Sequence, residues 1–303
     1  MSNNDPIGEE VRALEALVGH PGDLLEELES KIQARAISKF QDIEEDWLRL
    51  MWAIDAYRIR GLLPRGMGKA GVPAEARLGA VYRSKGNWFA TLIALLLQNQ
   101  TSQQIRPRTN VQGFSQLHQI DLAWPAREKD SLVCVETKVT GAPAFGSTPS
   151  RSAYADFSNR RKELKFAATD LKLYRRQQET VIEHWGVWRE KAPPKTYFLW
   201  AARLKTHGRR DDIKKLIVEA LALVTSYLDG VGIIAWHENA AGTGYEAIRI
   251  PAASAQVADL DNAIYRIASE IKALVGPGGK PPEPIVPETT AVDIERLSPD
   301  AGW

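Results

Sequence analysis

An α/β fold with a mixed central sheet flanked by helices, preceded by a helical N-terminal region, is predicted by two patterns in the 303-residue chain. From Ile7 to about Arg60, apolar side chains recur every three or four residues, the period of one helix face. Beyond about residue 84, short β-branched and aromatic runs alternate with longer amphipathic stretches. That is the order of strands and helices layered on a sheet.

In the N-terminal part, Leu14, Leu17, Val18, Leu24, Leu25, Leu28 and Ile32 mark helices broken at Gly19-His20-Pro21-Gly22, and His20 reads as a loop residue. The acidic turn from Asp42 to Asp46 favours the N-terminal end of a helix dipole. The helix it opens has Trp47, Leu50, Met51, Ile54 and Tyr57 on its core face. Gly61 to Lys85 reads as a transition, with seven basic residues and one acidic residue between Arg58 and Lys85. That balance suits contacts to a phosphate backbone. Gly66-Met67-Gly68-Lys69 lacks the spacing of a phosphate-binding loop.

Gly86 to Gln100 is the next helix, and Arg106 to Phe114 a polar connection. Two strands follow, one through Ile120-Asp121-Leu122-Ala123-Trp124 and one from Leu132 to Val139, with Pro125 to Ser131 as a hairpin loop. A Gly/Pro/Ser-rich loop occupies 141–152, and Ala155 to Glu183 is a long basic helix. Tyr197 to Leu204 is a third strand. A helix then runs to about Tyr227 with Asp211 or Asp212 as its cap. Gly230 to Trp236 is a fourth strand and Tyr245 to Ile250 an edge strand. From 273 to 303 the chain is Pro-rich and acidic, a composition expected to remain disordered. The expected organisation is thus a helical region over 1–83, a core over 84–272 and a tail over 273–303.

The net charge of +1 conceals segregation. Residues 1–55 hold 13 acidic and 5 basic side chains, whereas 151–215 hold 17 basic and 8 acidic. A basic half of this kind suits a phosphate-rich partner, DNA in the first instance. The lone Cys134 sits in an apolar strand and reads as a core residue. No basic-then-apolar leader opens the chain, and the run from Phe89 to Leu97 is too short to span a bilayer. A cytoplasmic location with no membrane partner is therefore expected. No His or Cys pair has zinc-like spacing, and no Gly-x-Ser-x-Gly elbow occurs.

The chemistry concentrates in the hairpin, where Asp121, Glu136 and Lys138 interrupt apolar runs. Side chains alternate along a strand, so Glu136 and Lys138 share a face, and pairing of the strands sets Asp121 beside them. By the same alternation His118, three residues before Asp121, falls on the opposite face. Two carboxylates and a lysine on a half-buried sheet are costly unless they bind something. Asp121, Glu136 and the backbone carbonyl of Thr137 suit a hard divalent cation, Mg²⁺ with Mn²⁺ able to substitute. Lys138 suits a scissile phosphate or the attacking water.

The set Asp121 followed by Glu136-Thr137-Lys138 resembles the PD-(D/E)XK nuclease superfamily, which includes many type II restriction endonucleases. Ile120 stands where a Pro often precedes the Asp. The resemblance covers about residues 84–250 and implies a restriction-endonuclease-like core. It further implies a Mg²⁺-dependent endodeoxyribonuclease of the restriction or phage-defence type, in which the Asp and Glu bind metal and the Lys assists the water. The family's first core helix often carries a Glu. Here no Asp or Glu lies between Glu75 and Asp121, which leaves Gln98 or Gln100 as accessory groups. Cleavage of both strands implies a homodimer. Arg160, Arg161, Lys162, Lys165, Arg175 and Arg176 on the basic helix are the expected contacts to the DNA backbone. A catalytically degenerate nucleic-acid-binding protein and a helical interaction protein are the alternatives.

Overall fold

The computed structural model describes residues 6–67, 71–155, 157–181, 193–206, 211–225 and 227–282. Helices α1 (Pro6–Val18), α2 (Pro21–Ala34), α3 (Glu44–Ile59) and α4 (Ala74–Thr101) precede strands β1 (Arg106–Gln112), β2 (Leu117–Trp124) and β3 (Val133–Thr140). Helix α5 (Phe157–Val181), β4 (Lys195–Arg203), α6 (Ile213–Val224), β5 (Gly230–Glu238), β6 (Tyr245–Ile248), β7 (Val257–Asp259) and α7 (Leu260–Leu274) complete the described fold. The protein is α/β, with a seven-stranded mixed sheet in the order β1-β2-β3-β4-β5-β6 and β7 paired to β5. β1, β2 and β3 are antiparallel, whereas β3, β4 and β5 run parallel.

β4 and the first seven residues of β5 are buried almost throughout, as expected for parallel strands covered on both faces. Alternation divides their side chains between two cores. Tyr197, Leu199 and Ala201 meet the N-terminal helices, α4 and α7, while Phe198, Trp200 and Ala202 meet α5 and α6. The N-terminal helices share this core with the sheet rather than forming a separate arm. Trp47 lies edge-on to Trp236 of β5 at 6.3 Å, and Phe40 edge-on to Phe89 of α4 at 6.3 Å. All five residues expected on the α3 core face are buried. His20 is more than a loop residue, because its ring accepts the Asp23 N–H and caps α2.

Three expectations need correction. Helix α4 starts at Ala74, so the assumed transition and the 83/84 boundary fall partly or wholly within one helix. Arg106–Gln112 is an edge strand rather than a connection. Its seven residues are mostly exposed and include Pro107, which a sheet edge accommodates. Finally, α7 extends past residue 273, and the segment after it is docked to the core. Gln103 donates to the Gly279 carbonyl at 2.9 Å and Arg127 to that of Pro282 at 3.0 Å. The remainder of the expected tail, from residue 283, lies outside the described residues. Asp212 caps α6 as expected, accepting from the Lys214 N–H at 2.8 Å.

α7 approaches β5 closely at Gly232, where a Cβ would strike the Ala263 methyl and Leu199. Gly232→Ala is therefore expected to destabilise the protein by about 1–3 kcal/mol through overpacking. Thermal unfolding of this variant against wild type checks it.

Candidate active site

Strands β2 and β3 pair from Trp124↔Val133 to Leu122↔Val135, and the ladder ends there. On the other side of β2, Pro107↔Leu122 is followed by Thr109↔Ile120, so Arg108 and Asp121 are left out of the register. Arg108 has a φ of 58°, a left-handed conformation that turns the backbone at this point. Alternation breaks with it. Ile120 and Ala123 both enter a small cluster with Leu171 of α5, whereas Leu122 and Trp124 enter the core on the α4 side. Ile120 and Asp121 are consecutive, yet both serve the α5 side of the sheet.

The strands thus separate where their charged residues lie. Asp121 spans the gap through one oxygen, Oδ2, which accepts from the Thr137 N–H at 2.8 Å and the Thr137 hydroxyl at 2.9 Å. A cavity of about 350 Å³ opens between the fork and α5. Asp121, Glu136, Thr137 and Lys138 line it together, so the residues singled out in the sequence do converge.

Glu136 keeps partial exposure toward the cavity, but protein atoms crowd its carboxyl on the other sides. Burial pushes its pKa up to about 8; the adjacent Asp121 carboxyl adds to the shift, and Lys138 opposes it. Two facing carboxyls in a confined space keep a proton between them unless a cation takes its place. An oxygen-donor pair of this kind fits Mg²⁺, which commonly uses one or two protein carboxylates with water and substrate phosphate as its other ligands. Among the described residues, no group of three or more His, Cys, Asp or Glu side chains is placed to hold a metal ion.

Other expected positions are redistributed. His118 lines the same cavity as Asp121, contrary to the alternation reading, because the backbone turns opposite Arg108. Its Nε2 lies 2.8 Å from Asp170 Oδ2 on α5. Burial opposes ionisation of Asp170, but hydrogen bonds from His118 and the Ser115 N–H hold its carboxyl below the usual range. Asp170 thereby ties α5 to β2 and to the β1–β2 turn and so fixes the wall of the cavity.

Gln98 and Gln100 are on the helix covering the opposite face of the sheet. Gln98 is exposed, and Gln100 donates to the Ser38 carbonyl at 2.6 Å. Neither lines the cavity, so the accessory role expected for them is not supported by position. On the basic helix, Arg160 lines the cavity. Arg161 pairs instead with Glu219 of α6 at 3.2 Å, and Lys165 lies over the Tyr227 ring at 4.3 Å. Lys162 is exposed, and the side chains of Arg175 and Arg176 lie outside the described residues.

Sequence reasoning missed Glu163, which lines the cavity one helical turn from Arg160 and pairs with it. No local pattern distinguishes it from a solvated helix charge. Comparison with protein-family models, with curated proteins and with solved structures gives no match.

Proposed function

We propose that the protein is a Mg²⁺-dependent nuclease that hydrolyses DNA phosphodiester bonds, acting as a homodimer of the restriction or phage-defence type. The observation that carries this reading is the facing pair of Asp121 and Glu136 at the floor of a cavity that also contains Lys138. Asp121 and Glu136 would hold the cation, with the Thr137 carbonyl as a further oxygen. When bound, a divalent cation acts as a Lewis acid toward water and offsets charge on the phosphoryl group.

The chain's own groups supply positioning. The Thr137 N–H and hydroxyl fix one Asp121 oxygen, leaving the other for the cavity. Lys138, two residues beyond Glu136 on the same strand, holds a phosphate oxygen and orients the water for attack in line with the departing oxygen. Water adds to phosphorus and gives up a proton to solvent, one P–O ester bond breaks, and the departing oxygen takes a proton from solvent. The His118–Asp170 pair keeps the α5 wall in place.

Plasmid cleavage with Mg²⁺ tests the proposal. Wild type is expected to nick or linearise DNA. Asp121→Ala and Lys138→Ala are expected to lose about 10²–10⁴-fold in rate, the range for removing a positioned catalytic group. Intact plasmid with wild type, or variants that cut as well as wild type, would overturn it.

A further inference from the structure

A second cavity, of about 600 Å³, adjoins the first and shares Lys138, Arg160 and Phe198 with it. It lies beyond the C-terminal part of β3, between α4, the 141–152 loop and the start of α5. Its basic lining comes from five separate segments: Arg58 on α3, Arg83 and Lys85 on α4, Lys138 on β3, Arg151 in the loop and Arg160 on α5. No Asp or Glu is among its described lining residues, although Lys85 is paired with Asp55 and Arg160 with Glu163 outside the lining.

Its geometry adds to the charge. The Arg58 guanidinium is stacked over the Tyr82 ring at 4.0 Å, and its buried Nε has no hydrogen-bond partner. The Tyr82 hydroxyl donates to the Gly141 carbonyl at 3.2 Å and so ties α4 to the loop. Gly141 has a φ of 80°, and a Cβ there would strike the Arg203 carbonyl. The loop thus leaves β3 in a fixed direction and carries Arg151 back to the cavity, where Arg151 and Ala142 exchange backbone hydrogen bonds at 2.9 and 3.1 Å.

We infer that this cavity is a backbone-phosphate subsite for the DNA strand entering the Asp121–Glu136 site, built jointly by the N-terminal helices and the core. The inference rests on the nuclease reading for the identity of its ligand. A phosphodiester oxygen would be met by Arg58, Arg83 and Arg151, with Lys138 at the junction directing the next phosphate to the carboxylates. Contacts of this type position a strand without reading its bases.

Binding without cleavage separates the two claims. The measurement is fluorescence anisotropy of a labelled DNA duplex in EDTA, across a range of NaCl concentrations. Arg83 and Arg151 are exposed, and thermal unfolding of Arg83→Gln with Arg151→Gln checks that this variant folds. Relative to wild type, this variant is expected to bind about tenfold or more weakly at low salt. Its slope of log affinity against log salt should fall by roughly one to two, about 0.9 for each phosphate that is no longer neutralised.

Arg83→Lys with Arg151→Lys keeps the charge and should recover most of the binding. Lys39→Gln with Lys214→Gln removes two exposed charges away from the cavity and should leave the slope near wild type. The subsite is overturned if the Arg83/Arg151 glutamine variant binds as wild type, if the control variant is weakened as much, or if wild type retains no duplex. Loss of cleavage in Asp121→Ala with binding in EDTA intact leaves the subsite standing. Cleavage by wild type together with unchanged binding by the glutamine variant leaves the nuclease standing without it.

Discussion

Glu136→Gln is expected to abolish Mg²⁺-dependent DNA cleavage while making the cation-free protein more stable at pH 8. Both effects have one cause. Burial and the Asp121 carboxyl raise the Glu136 pKa from 4.5 to about 8, so folding favours the protonated acid. A carboxyl whose folded pKa is raised contributes its stability below the unfolded value and loses it as pH rises toward the folded one. Between about pH 4.5 and 8, wild type should therefore weaken progressively as Glu136 is driven to ionise. The glutamine amide never ionises, and its advantage should be negligible near pH 4.5 and grow to about 2–4 kcal/mol at pH 8. Urea unfolding in EDTA at several pH values measures it. Cation binding needs the ionised carboxylate, so wild-type affinity for Mg²⁺ should rise over the same window and release a proton at its lower end. A pH-independent difference between the two proteins would show that Glu136 is not protonated in the folded chain.

Lys85→Met should cost about 3–5 kcal/mol, because it strands a buried carboxylate. Lys85 Nζ is 3.0 Å from Asp55 Oδ1, and the two side chains are 3% and 0% exposed. The other Asp55 oxygen accepts from the Tyr245 hydroxyl at 2.5 Å, which in turn accepts from Arg203 at 2.7 Å. Three separate parts of the fold, α3, α4 and the β4–β6 end of the sheet, meet in this network. Burial disfavours the Lys85 ammonium, but Asp55 and Tyr82 together outweigh it and hold the group above its ordinary value of 10.5. Its contribution is therefore fully present below that pH and is lost as pH rises from there through the raised folded value. The Lys85→Met deficit should be the same at pH 6 and pH 9, unlike the Glu136 effect. Combining it with Asp55→Asn should recover part of the loss, since the buried carboxylate is gone and Arg203 keeps Glu238 at 3.7 Å.

The hairpin was legible because period-two alternation in short β-branched runs is a strong local signal, and it placed Glu136 and Lys138 on one face. It misled at His118 because alternation assumes a continuous ladder, whereas the Arg108–Asp121 position is skipped. β1 was hidden by its own composition, since an edge strand with Arg106, Pro107 and Arg108 has no apolar rhythm to read. Helix α7 carries a readable signal as well. Leu260, Ile264, Ile267 and Ile271 lie at helical spacing, and Asp259 caps the helix through the Asn262 N–H at 2.9 Å. Arg58, Arg83 and Arg151 illustrate what sequence does not encode locally. Each is an ordinary surface charge until the fold brings five segments to one cavity.

Incubating genomic DNA with Mg²⁺ and either wild type or Glu136→Gln, then sequencing the newly formed ends, tests the assignment of the β2–β3 fork most directly. New ends of uniform geometry with wild type, absent in EDTA and absent with the variant, are the predicted result. No new ends with wild type, or the same ends with Glu136→Gln, would contradict it.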